Sequence, residues 1–364
     1  MTVLLFLIIL AVLIFVHELG HFCTAKLFGI RVDEFAIGFP PRIFGWIRGE
    51  TKYSLNLIPA GGYVKIFGEN PDDESLIGPD SPRSFVNASK WKQIIVLLSG
   101  IFMNLVFAWI LISISFNIGL LTPIDDQYKD NVRDISVMII SVMKDSPSDL
   151  AGLKEGDRII GIESDKVKET LPSADDLQKI ITESSGRINI EYKRGNTTST
   201  ASIVAEDGLV GGRKAIGISM GLVGTVKFGL FRSFLEGLKL TAIETKEITI
   251  GIYKFIYDLL RGQNGMLSEI AGPVGIAGLV GQASSMGTSY LFGFIAMISI
   301  NLAMLNLVPF PAFDGGRVLF VLIESVIRRR IKPVILNWAN LIGFGLIIIL
   351  LIFITYRDIL GLIK

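Results

Sequence analysis

The sequence predicts a polytopic α-helical membrane protein with about four transmembrane helices and an inserted β-rich domain. Three observations carry that expectation. Half of the 364 residues are hydrophobic and only 19% are charged, with a mean hydropathy of +0.55. Four apolar runs are each about long enough, with modest flanking extension, to cross a hydrocarbon layer of about 30 Å. Between the second and third runs lies a long segment of ordinary soluble composition. The net charge of +1 gives no electrostatic case for a nucleic acid partner. The single Cys23 excludes an internal disulfide and a multi-cysteine metal site.

The first run is Thr2 to Val16 and continues through "HELGHF". No Lys or Arg precedes Lys26 and no Ala-x-Ala cleavage site is evident, so a permanent span is expected rather than a signal peptide. In "GGYVKIFGEN" (Gly61–Asn70) Tyr63, Lys65 and Phe67 alternate with Val64 and Ile66, which reads as a short strand or hairpin near the membrane. The acidic, Pro-containing stretch Glu69–Ser84 reads as a loop. The second span is Ile94–Leu121.

Strand-like runs then appear at Ser136–Val142, Asp157–Ile162, Arg187–Lys193, Thr198–Val204 and Ala215–Met220, with one helical candidate at Ala174–Thr182. They mark 122–226 as a domain of about a hundred residues, an ordinary domain size. Residues 227–262 suit amphipathic helices at the interface, with Phe231, Phe234, Leu235 and Leu238 at helical spacing. Ala271–Gly287 is rich in Gly, Ala and Ser and suits close helix packing. The third span is Tyr290–Val308 and the fourth Leu341–Ile354. The predicted division is therefore 1–121 as the first part of a membrane domain, 122–226 as the β-rich domain, and 227–364 as amphipathic helices plus the rest of the membrane domain. Arg317, Arg328, Arg329, Arg330 and Lys332 lie between spans three and four, so the positive-inside rule places that side in the cytoplasm. Both termini and the 122–226 domain then face outward.

Ionisable residues at the end of an apolar span mark a functional site by default. His17 and His21, the only histidines in the chain, stand four apart and so share one helix face. Glu18 lies about 100° round from His17 and about 60° from His21. It can touch a metal-held water without occupying the metal. H-E-x-x-H on a helix is a zinc arrangement with the glutamate as general base, and zinc needs a further ligand and an open position. No third histidine exists, so a carboxylate at membrane depth must complete the set. Asp314 is a candidate, set between Pro309 and Pro311 and the pair Gly315-Gly316. It also reads as a helix cap, and local sequence leaves that choice open.

"HELGH" and "NLVPFPAFDGG" together resemble the site-2 protease family of intramembrane zinc metalloproteases, in its bacterial branch of regulator of sigma-E proteases. "GGYVKIFGE" is similar to that family's membrane-associated β-loop, "SGIFMNLVFA" to its second span, and "AGPVGIA" and "SINLAMLNL" to the approach to its third. "SPSDLAGLKEGDRIIGI" resembles the PDZ domain such proteases carry outside the cytoplasm. The resemblance implies zinc held by His17, His21 and Asp314, with Glu18 as catalytic base. It implies that Asn301 and Asn306 clamp substrate amides. Gly62, Tyr63, Val64 and Lys65 would offer a strand edge to the substrate.

The expected activity is cleavage of transmembrane segments in the bacterial inner membrane, with the active site near the cytoplasmic side. The expected partners are the lipid bilayer and single-span membrane proteins or signal peptides. An anti-sigma factor cut a second time and a remnant signal peptide are both admissible substrates. The PDZ-like domain would bind substrate near Ala151–Gly156 or exclude bulky outer regions. A catalytically silent PDZ-bearing scaffold is the alternative; a metal transporter would favour more ligands along the spans than Asp314 alone. Two departures from the family stand out. There is room for one PDZ domain rather than a tandem pair, and Phe313 precedes Asp314 where an aliphatic residue is expected.

Overall fold

A computed structural model describes residues 2–123, 131–165, 167–170, 173–195, 197–210, 213–262 and 271–363. Residues 124–130 of the expected β-rich segment, and 263–270 ahead of the third span, lie outside the described residues. The chain divides into two compact units. One comprises Met1–Ile112, Gly237–Val280 and Ile295–Lys364; the other comprises Ser113–Glu236 and Gly281–Phe294.

Among the described residues four helices are long and apolar enough to cross a membrane: α1 (Thr2–Leu27), α3 (Lys90–Ile118), α8 (Thr288–Leu307) and α10 (Pro333–Ile363). α10 is longer than the run Leu341–Ile354 because its first turns carry Asn337, Trp338 and Asn340, which dilute the apolar signal without breaking the helix. In the first unit α1 leads into two long paired strands, β1 (Val32–Arg48) and β2 (Thr51–Ile66), joined by a hairpin turn, with Glu34–Ile37 of β1 lying beside both Lys52–Leu55 and Gly62–Lys65 of β2. Phe35 packs its ring 5.7 Å from Phe15 and 5.0 Å from Phe22, which seats the hairpin on α1. At the turn, Glu50 pairs with Lys26 and with Arg83, each at 2.6 Å. The acidic stretch after β2 is not wholly loop. It holds a short helix, α2 (Asp73–Ile77), started by a capping box between Asp72 and Ser75.

After α8 the chain doubles back through two prolines into α9 (Asp314–Ile327). This return is tight. A Cβ on Gly316 would lie 2.2 Å from the Phe310 carbonyl oxygen, and one on Gly315 would lie 2.3 Å from that of Leu307. Only glycines leave room for α9 to start there. The Phe313 ring packs against that of Phe310 in a tilted arrangement, centroids 5.8 Å apart, a local packing role.

The second unit is built on a seven-stranded antiparallel sheet. Its strands are β3 (Leu120–Pro123), β4 (Val132–Val142), β5 (Arg158–Glu163), β6 (Lys168–Thr170), β7 (Arg187–Arg194), β8 (Thr197–Val204) and β11 (Ile218–Val226), ordered β3-β11-β4-β5-β7-β8 with β6 beside β5. β9 (Glu206–Val210) and β10 (Arg213–Ala215) form a small separate pair. Two helices, α4 (Pro147–Leu150) and α5 (Ala174–Glu183), accompany the sheet. Ile139, Ile159, Ile162, Ile188 and Ile190 pack with Leu177 and Ile181 of α5 into one core. α6 (Leu230–Leu260) and α7 (Pro273–Ser285) complete the elements.

Candidate metal centre

α1 buries His17 and His21 on one face, as four-residue spacing requires. Both imidazoles meet α3 at Gly100, where a Cβ would lie 2.5 Å from His21 Nε2 and 2.8 Å from His17 Nε2. Gly20 allows the same close approach from the α1 side, against the Ser99 carbonyl.

Asp314 is the first residue of α9. The cap position belongs to Phe313, which makes no side-chain cap hydrogen bond. The Asp314 carboxylate is thus free to reach α1, 297 residues away in sequence. Its Oδ2 lies 2.9 Å from His17 Nε2 and 3.3 Å from His21 Nε2, and the two Nε2 atoms are 3.1 Å apart. A tetrahedral zinc with bonds of about 2.0–2.1 Å sets its ligand atoms roughly 3.3 Å apart. The three donor atoms therefore converge with the spacing and chemistry of a zinc site. Among the described residues they form the one cluster of three or more His, Cys, Asp or Glu suited to a metal.

Groups behind the ligands fit the same reading. His21 Nδ1 donates to the Val96 carbonyl at 2.8 Å, which leaves the Nε2 lone pair facing Asp314. Behind His17, the Asn104 amide nitrogen lies 3.3 Å from Nδ1 while its buried Oδ1 has no partner among the described residues. Turning that amide over lets Oδ1 accept from Nδ1–H, removes the orphan, and frees His17 Nε2 for a metal. Asn104 was not singled out from sequence. Its signal was an amide in the middle of an apolar span.

The ligands open onto a cleft of about 670 Å³, lined also by Glu18, Tyr63, Val64, Arg317 and Asn340. Glu18 Oε2 accepts the Val64 backbone N–H at 3.0 Å. Val64 lies opposite Phe35 of β1, and its N–H points the other way, toward the cleft. Ala312, also lining it, sits at φ 84°. A non-glycine backbone held there costs of order 1–3 kcal/mol. Tyr63 and Val64 face the cleft; Gly62 and Lys65 belong to the same strand but are not among its lining residues. Asn301 and Asn306 lie on α8 and do not line the cleft either, and the Asn301 amide donates to Met297 of its own helix. Arg317, one turn after Asp314, forms an ion pair with Glu69 at the cleft wall.

The profile of Peptidase family M50 matches residues 5–350. Relatives extend over nearly the whole chain. A protein of Clostridium perfringens is 35% identical over 352 residues, 96% of this chain and 95% of its own. One of Clostridium acetobutylicum is 33% identical over 350 residues, 96% and 94% of the two chains. One of a Nostoc species is 31% identical over 361 residues, 97% and 95%. All three carry the provisional name of zinc metalloprotease.

Proposed function

The chain belongs to peptidase family M50, and from that premise we propose that it is a zinc metalloendopeptidase that cuts peptide bonds of transmembrane segments within or at the edge of the bilayer. One observation carries the reading. The two imidazoles, the Asp314 carboxylate, the Glu18 carboxylate and the outer strand edge at Val64, whose N–H donates to Glu18, all face one cleft at the end of a membrane helix.

His17, His21 and Asp314 would hold the zinc, which when bound supplies a Lewis acid that acidifies water and polarises a carbonyl. Glu18 stands beside these ligands as the base. It takes a proton from the attacking water and returns it to the leaving amide nitrogen. A membrane helix hides its amides in its own hydrogen bonds, so the substrate must unwind before attack. The β2 edge at Val64 offers the unwound segment backbone partners, in the manner of strand addition. Asn301 and Asn306 remain proposed supports of that segment, acting from α8.

The substrates we propose are single-span membrane proteins already cut outside the membrane, such as an anti-sigma factor, or leftover signal peptides. The proposed setting is a bacterial inner membrane, with Arg328–Lys332 and the metal cleft toward the cytoplasm and the β-rich unit outside. We read that unit as PDZ-like. α5 and β11 line a groove of about 580 Å³ that includes Gln178, Ile181, Ile218 and Met220. Among the described residues β3 pairs only with Val223–Val226, and the Ile218–Leu222 half of β11 has no strand partner on that side. The Ala151–Gly156 region is less open: a Cβ on Gly156 would lie 2.4 Å from Met286 Cε. The test is to compare membrane peptides in cells carrying the native protein and Glu18→Gln. Accumulation of truncated single-span fragments only in the variant supports the reading; identical profiles reject it.

A further inference from the structure

A second cavity, of about 330 Å³, lies beside the metal cleft and is lined mostly by apolar side chains, among them Phe85, Leu97, Phe320, Val321 and Leu336. Glu69, Asn70, Arg317, Asn337 and Asn340 line both spaces. The two are therefore neighbours that share a polar partition, across which a substrate chain lying in the cleft would reach the cavity.

The partition holds an unmet hydrogen-bonding demand. The Asn340 amide oxygen is buried and has no partner among the described residues. A buried acceptor left unpaired is destabilising, and a donor arriving with a ligand relieves it. Four of the five charged side chains lining the cavity are committed, Lys332 being the fifth. Arg317 pairs with Glu69, Glu324 pairs with Lys90 and accepts the Ile331 N–H, and Arg330 donates to Asn87. What the site lacks is an apolar body plus an N–H. A peptide residue supplies both at once, whereas a lipid acyl chain supplies only the first.

We propose that this cavity is a side-chain subsite for the substrate. It takes one large apolar residue (Leu, Met or Phe) flanking the scissile bond, while Asn340 accepts a backbone N–H of the same segment. The proposal rests on the protease reading for its catalytic arm and stands apart from it for its binding arm. It assigns to α10 a part in substrate selection.

The test uses full-length, zinc-loaded protein in detergent and a synthetic single-span peptide with a central Gly-Ser pair. Each residue following or preceding the pair is in turn Ala, Leu or Phe. The native protein should prefer Leu or Phe over Ala at one position by about 10-fold or more, the discrimination an apolar pocket gives. Leu336→Trp, which fills the cavity, should erase that preference, and Phe320→Ala, which enlarges it, should move it toward Phe. Asn340→Leu should lower kcat/KM about 10-fold with zinc content unchanged. In the binding arm, Glu18→Gln protein is photolabelled with the peptide carrying benzoylphenylalanine at each position in turn. Label on Phe320 or Leu336 is expected even if no cleavage occurs, so failure of the protease reading is separable from failure of the subsite. A side-chain preference unchanged in both cavity variants, or label confined to residues away from the cavity, overturns the proposal. So does a co-purified phospholipid that Leu336→Trp displaces without altering the peptide preference.

Discussion

The backbone N–H of Val64 donates to the Glu18 carboxylate at 3.0 Å, so the strand edge facing the cleft also holds the proposed base. A substrate strand that adds at this edge competes for the same N–H. Arrival of substrate and release of the base are thereby linked through one hydrogen bond.

Val64→Pro removes that donor while proline remains tolerable on a strand edge. The variant should keep its zinc and lose about 10-fold or more in kcat/KM, the scale of a lost hydrogen bond to a charged group. Val64→Ala, which keeps the N–H, should stay near the native rate. Equal rates for the proline and alanine variants would remove Val64 from the account.

Behind His17, Asn104 fixes the imidazole by accepting from Nδ1 once its amide is turned. Groups in that position typically change metal affinity about 10–100-fold. Asn104→Leu should raise the zinc dissociation constant by that amount in competition with a fluorescent chelator. Native affinity in Asn104→Leu would mean the ring needs no such partner.

Gly100 has no space for a Cβ beside the two imidazoles. Gly100→Ala should strip most of the zinc while α3 itself gains helix propensity. Metal analysis alongside circular dichroism separates the two effects. Full zinc occupancy in Gly100→Ala would show that α1 and α3 are farther apart than described.

Glu50 provides a pH test away from the membrane spans. The hydrogen bond from Arg83, with Lys26 alongside, holds its carboxylate at about 2, against an ordinary value of 4.5. A depressed carboxylate stabilises the fold above its unfolded value, and that contribution is lost as pH falls through the folded one. The hairpin turn at 49–51 should therefore be protected at pH 5 and released progressively between 4.5 and 2. Amide exchange at Thr51–Tyr53 measures this, and Glu50→Gln should flatten the profile in that window. Superimposable profiles would show that the pair does not hold the turn.

The four spans were legible because apolar composition over such lengths has few other uses. The His17–His21 pair was legible because its meaning lies within one turn of helix. Asp314 was not decidable from its neighbours, since an Asp before two glycines also reads as a cap; the imidazole it meets is 297 residues distant, and the tight return at Gly315 and Gly316 brings the two together. β1 escaped notice because Gly38, Pro40 and Pro41 interrupt its pattern, and pairing with β2 supplies what local propensity lacks. Asn104 and Asn340 were passed over for one reason. A lone amide in an apolar run usually bonds a neighbouring helix, and only the fold shows that one stands behind His17 and the other at the edge of a cavity.

The most direct test of the zinc site is metal content by mass spectrometry on full-length protein purified without added chelator. The native chain and Glu18→Gln should each carry one zinc, whereas the His17→Ala, His21→Ala double variant and Asp314→Ala should carry little or none. Full zinc occupancy in the double histidine variant would contradict the assignment, because the metal would then be held by other residues.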